Sequence, residues 1–165
     1  MTFVVPYDGS PLADAALERA AAFGAALDEQ VSVVSVVPER TRYAREKGWI
    51  DEDEPYDVDA VVEDLRTRAL SIAADAAFAV ERIREFPPGD RLAAHIERLV
   101  REQEPTVVFL GSDNVGRVVT PLTSVGVHVA GDEEYDVYVV RQSEQPRLEA
   151  LLEQVDGDGS VGDGT

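Results

Sequence analysis

A chain of 165 residues, 44% of them apolar, is the size of one domain with one sizeable core. Its 33 acidic and 15 basic residues give a formal net charge of −18, which repels nucleic-acid phosphates and anionic membranes. Cysteine is absent and the only histidines are His95 and His128, so disulfides, thiolate zinc sites and cysteine nucleophiles are excluded and a metal site would have to be mostly carboxylate.

Thr2 to Tyr7 is a short apolar run, the pattern of a buried strand, and Asp8-Gly9-Ser10-Pro11 turns the chain. Ser10 suits an N-cap and Pro11 the first helical position. Leu12, Ala16, Ala20, Phe23 and Leu27 then recur at helical spacing, and Asp28-Glu29 closes the helix. Val31 to Val37 is continuous and β-branched, as expected of a central strand covered on both faces. No period holds across residues 39–57, which read as a long solvated connection. A helical turn is expected near Tyr43 to Lys47, with Trp49 and Ile50 as the residues to pin it. The run Asp51-Glu52-Asp53-Glu54 lacks the spacing of a calcium loop.

Helical spacing returns with Val61, Val62, Leu65, Ala69, Ile72, Ala73 and Ala76. Phe78 to Ile83 mixes apolar and charged residues, which suits an edge strand. A helix is expected after Pro87-Pro88-Gly89-Asp90, with Leu92, Ile96, Leu99 and Val100 on one face and Glu104-Pro105 at its end. Thr106 to Leu110 is a second central strand running into Gly111-Ser112-Asp113-Asn114-Val115-Gly116. A short helix over 121–130 and a last strand, Val137 to Val140, follow. Strands alternating with helices predict a doubly wound, open, parallel α/β sheet with helices on both faces. Residues 1–142 form the domain. Residues 143–165 form an acidic tail, with a weak helical face at Leu148, Leu151, Leu152 and Val155 and a Gly/Asp-rich, disordered end.

Five segments in order resemble the universal stress protein (UspA-like) family. They are Val5-Pro6-Tyr7-Asp8-Gly9-Ser10, Val33 to Val37, Val107-Val108-Phe109-Leu110-Gly111-Ser112, Leu122-Thr123-Ser124-Val125, and Val137-Tyr138-Val139-Val140-Arg141. The resemblance implies five strands in the order 3-2-1-4-5, the adenine nucleotide alpha hydrolase-like arrangement. It places a ligand crevice where the order reverses, at the carboxyl ends of strands 1 and 4. Many family members bind ATP there. Carried over, Asp8 and Gly111 meet the ribose, with Pro6 and Tyr7 beside them, and Val36 meets the adenine. Asn114, Thr123, Ser124 and Val125 receive the phosphates.

The family's phosphate cradle is Gly-x-x-Gly followed at a fixed spacing by Gly-Ser or Gly-Thr. Here Gly111 is kept, Asn114 stands at the second glycine, Thr123 replaces the last, and the spacing to Ser124 is one residue short. Asparagine fills space that glycine leaves open, and threonine is β-branched. Gly116 offers a displaced turn, and Arg117 a phosphate partner. The expected function is therefore a small-ligand-binding or regulatory stress-response protein with a degenerate nucleotide pocket and no catalytic residues. The alternative is an ATP-binding switch with slow or no hydrolysis. Candidate occupants are ATP, AMP or an inorganic anion.

Three readings of Asp8 stand together: a ribose ligand, a partner for the turn at Gly9-Ser10, or a solvated strand end. Val36 is a core residue first. His95 and His128 read as surface histidines. In the family the last strand commonly pairs with its twofold mate, so Val137, Tyr138, Val139 and Val140 are the candidate homodimer edge. No apolar run reaches the ~20 residues that span a bilayer. The N-terminus has no signal-peptide pattern, so a cytoplasmic protein is expected. Acid excess along the whole chain, with Lys47 as the single lysine, resembles the proteins of salt-accumulating halophiles, the archaeal ones among them.

Overall fold

The computed structural model describes residues 1–84, 89–111 and 135–143, together with Glu153; residues 89–91 are described by their backbone. The elements are β1 (Thr2–Pro6), α1 (Pro11–Leu27), β2 (Gln30–Pro38), α2 (Thr41–Glu46), α3 (Val58–Ile72), β3 (Ala77–Ile83), α4 (Gly89–Glu102), β4 (Val107–Gly111) and β5 (Asp136–Val140). The strands form one sheet in the order β3-β2-β1-β4-β5, parallel throughout. This is the order that the family resemblance implies.

The period-2 alternation of a strand sends neighbouring residues to opposite faces. Phe3, Val5, Val33, Val37 and Phe109 pack against α1 and α3. Val4, Val34, Val36, Val108 and Leu110 pack against α4 through Ala93, Leu99 and Val100. Central strands covered on both faces explain why β1, β2 and β4 read as unbroken apolar runs. β3 lies at the sheet edge, and its Glu81 and Arg82 fit that place.

The chain starts and stops its helices by local means. Ser10 caps α1: its Oγ accepts from Ala13 N at 3.2 Å, and Pro11 follows at the first helical position. Asp57 caps α3 in the same way, accepting from Ala60 N at 3.2 Å. The α3 spacing runs on in sequence to Ala76, yet the helix ends at Ile72. Ala73 leaves helical geometry while staying buried, and Ala76 N donates to Ala73 O at 3.1 Å, a tight turn into β3.

Residues 39–57 form the connection expected, most of them exposed, with the helical turn present as α2 and with Ile50 turned inward. Tyr56 Oη donates to Pro38 O at 2.9 Å, and α2 with the residues after it docks on the turn that follows β1. His95 is half-buried, with Nδ1 3.3 Å from Glu81 Oε1, where Arg98 also binds. β5 ends the sheet, and its side chains are covered in part from within the chain, with Val137, Tyr138 and Val139 still partly exposed. Val140 is fully buried, and Tyr138 packs between Phe109 and Phe23 at centroid distances of 5.3 and 5.9 Å. The short helix expected at 121–130 and most of the tail lie outside the described residues.

Candidate functional site

The order reversal puts β1 between β2 and β4, so its carboxyl end opens where the connections diverge to either side. Phe3 pairs with Val107 and Val4 with Val108. Continued along both strands, that register brings the turn after Pro6 beside Gly111, although about a hundred residues separate them in sequence. Of the candidate residues, Pro6, Tyr7, Asp8, Val36 and Gly111 are described. Asn114, Gly116, Arg117, Thr123, Ser124 and Val125 lie outside the described residues.

Asp8 is not a solvated strand end; its side chain is 14% exposed. Oδ1 accepts from Ser10 N at 2.9 Å, and Oδ2 meets Lys47 Nζ at 2.8 Å. Burial alone would push this carboxyl up. The charge and hydrogen bond of Lys47, with the N–H of Ser10, bring it below the usual aspartate range. The carbonyl of Asp8 is held too, accepting from Trp49 Nε1 at 2.8 Å. Tyr43 packs edge-on against Trp49, 5.5 Å between centroids, and Lys47 sits 5.8 Å from the centre of the Tyr43 ring. The segment after β2 thus straps the turn at two points, the carboxylate and the carbonyl of Asp8.

Tyr7 is buried, and its hydroxyl donates to Asp14 Oδ1 at 2.6 Å. Burial raises its pKa well above the ordinary phenol value, and the bond to Asp14 adds to the shift. Arg68 of α3 clasps the same carboxylate, with Nε 3.2 Å from Oδ1 and Nη2 on Oδ2. One carboxylate in the first turn of α1 therefore ties together the end of β1, α1 and α3. Gly9 has φ +78°, and an added Cβ would stand 3.1 Å from Leu65 Cδ2. The turn needs glycine for its backbone.

Gly111 is the last residue of β4, paired with Val140, and not part of a free turn. An added Cβ would lie 2.6 Å from the carbonyl carbon of Leu12, 2.7 Å from its oxygen and 2.9 Å from Ala13 N. The missing side chain is what lets the first turn of α1 rest on the end of β4. Val36 is buried among Ile83, Ala93 and Leu110 on the α4 face, in line with its reading as a core residue. Among the described residues no three histidine, aspartate or glutamate side chains converge as metal ligands would.

The geometry brings Asp8 and Gly111 to one end of the sheet, as the sequence implies. It also adds Lys47, Trp49, Asp14 and Arg68, which the sequence reading did not place there. The available signal was composition: Lys47 and Trp49 are each the only residue of their kind in the chain.

The comparisons with known proteins agree with this architecture. A universal stress protein bound to cAMP has a similar fold, with TM-score 0.56, 21% identity, and coverage of 86% of this chain and 97% of that one. A universal stress protein from Archaeoglobus fulgidus gives TM-score 0.56 at 19% identity, covering 86% and 98%. One from the same organism in complex with dAMP gives 0.55 at 19%, with the same coverage. No curated protein sequence matches the chain. The profile of the universal stress protein family matches residues 1–141, all but the tail, and the chain belongs to that family.

Proposed function

We propose that this protein is a regulatory, non-enzymatic stress-response protein of the cytoplasm whose crevice is altered from the ATP-binding form. One observation carries the reading. The two described residues assigned to the ribose already have structural tasks: both oxygens of Asp8 are engaged by Ser10 N and Lys47, and the space beside Gly111 is filled by the α1 backbone. The substituted glycines at Asn114 and Thr123 point the same way. A small ligand or an inorganic anion, not ATP, is then the occupant of the crevice. No helix among the described residues is long and apolar enough to cross a membrane, which fits the cytoplasmic reading. The −18 charge fits a cell that accumulates salt, where a Debye length of ~3 Å at ~1 M screens self-repulsion.

A second reading, an adenylate-binding switch, draws support from relatives of the same fold crystallised with cAMP and dAMP. The two readings part on what co-purifies. Mass spectrometry of an extract of protein prepared in high salt is expected to recover no stoichiometric adenylate. Stoichiometric ATP or AMP would establish the switch instead.

The same reading includes a homodimer through β5. That strand ends the sheet, with β4 as its one described ladder partner. An open strand edge invites pairing, and a twofold axis beside it covers both copies at once. Light scattering in high salt is expected to give twice the chain mass; the mass of a single chain would remove the dimer.

A further inference from the structure

On the far side of the Asp8 turn from Val36 lies a pocket of about 220 Å³. Gly9, Lys47, Gly48, Trp49, Val61, Asp64, Leu65 and Arg68 line it. Val61 and Leu65 belong to the core cluster on the α1/α3 face, whereas Val36 belongs to the cluster on the α4 face. The pocket and the adenine position of the family therefore lie on opposite faces of the sheet. The volume is below the ~300–1,000 Å³ of sites for drug-sized molecules, so only a small metabolite fits.

The lining divides into three kinds of group. Val61, Leu65 and the indole of Trp49 are apolar, and the indole is held in place by its N–H bond to Asp8 O. Lys47 and Arg68 are cationic. Asp64 is anionic, exposed, and one turn before Arg68 on the same face of α3. Arg68 gives Asp14 two of the five donors of a guanidinium. Lys47 adds positive potential from the strap. Lys47 is already paired with Asp8 and Arg68 with Asp14, so an anion alone would find only their remaining donors and would be opposed by Asp64 and by the −18 of the whole chain. A cation alone would meet Asp64 but would offer no acceptor to the Arg68 donors that Asp14 does not take. A molecule carrying both charges on a short apolar body satisfies every group in the lining.

We propose that this pocket binds a small zwitterion of the α-amino acid class with a short branched apolar side chain. Its carboxylate faces Arg68 and Lys47, its ammonium faces Asp64, and its side chain lies on Trp49, Val61 and Leu65. The pocket shares no lining residue with Val36 or Gly111 and meets the crevice through Lys47, which pairs with Asp8.

Trp49 is the only tryptophan, so its fluorescence reports this pocket directly. L-valine, 3-methylbutanoate (valine without its ammonium) and isobutylamine (valine without its carboxylate) would each be titrated into the full chain in high salt. The expected result is a saturable change with L-valine at a Kd of about 1 mM, and binding at least about tenfold weaker for each truncated ligand. Asp64→Asn leaves the core untouched. It should weaken L-valine to the level of 3-methylbutanoate and leave 3-methylbutanoate itself unchanged. Absence of saturation by L-valine up to about 100 mM, equal binding of 3-methylbutanoate and L-valine, or an Asp64→Asn protein that binds L-valine as wild type does would each overturn the assignment.

Discussion

Gly111→Ala is expected to destabilise the protein by about 3 kcal/mol or more, through contacts with backbone and not with any ligand. The added Cβ would stand 2.6 Å from the Leu12 carbonyl carbon and 2.7 Å from its oxygen. A flexible side chain could turn away; a helix backbone cannot. Moving α1 is costly because its first turn is fixed by the Ser10 cap, by the bond from Tyr7 to Asp14, and by the clasp of Arg68 on Asp14. Urea unfolding in high salt, followed by Trp49 fluorescence, measures the loss. For a domain this long the melting temperature should fall by roughly 6–12 °C. A stability within about 0.5 kcal/mol of wild type would mean that α1 does not rest on β4 as described.

Lys47→Met carries the second large effect, and its pH dependence identifies the cause. In the wild type the aspartate titrates below its unfolded value, held there by Lys47 and Ser10 N–H against the opposing effect of burial. A carboxylate with a lowered folded pKa contributes stability above its unfolded pKa and loses it as pH falls through the folded value. Removing Lys47 leaves the desolvation of Asp8 without its main opposing charge. The cost at pH 7 is expected to be about 1–3 kcal/mol, less than for a fully buried pair because Lys47 is 30% exposed. Below about pH 4 the unfolded chain also takes up the proton, and the gap between variant and wild type should close. Because Asp8 is largely shielded from solvent, the gap at pH 7 should survive ~1 M salt better than that of a surface pair. A gap that stays constant down to pH 3, or no gap at pH 7, would show that the pair does not hold the turn.

Much of the fold was legible because its signals are local. The runs Thr2–Tyr7, Val31–Val37 and Thr106–Leu110 read as central strands, and the sheet places all three inside. Ser10-Pro11 marked the start of α1, and its side-chain cap is there. The end of α3 was missed because Ala73, Ala74 and Ala76 carry no stop signal; a turn held by a backbone hydrogen bond ends the helix. The turn near Tyr43 to Lys47 and the pins Trp49 and Ile50 were legible, but where this strap docks was not. It has no period, and its anchors are single long-range contacts: an ammonium on Asp8 Oδ2 from 39 positions away, and an indole N–H on Asp8 O from 41 positions away. Spacing rules detect faces of helices and strands, not isolated bonds across the chain. Asp8 shows the same limit. Its three readings are equal in sequence, and only the bonds from Ser10 N–H and Lys47 show that it serves the turn and is not a solvated strand end.

The most direct measurement is a calorimetric titration of ATP and of AMP into wild-type protein in ~1 M KCl, with Asp8→Asn alongside. If the aspartate after β1 and the glycine ending β4 serve the fold, neither nucleotide should give saturable heat at concentrations up to about 1 mM. Micromolar binding to wild type that vanishes in Asp8→Asn would contradict this, and would return the crevice to the nucleotide.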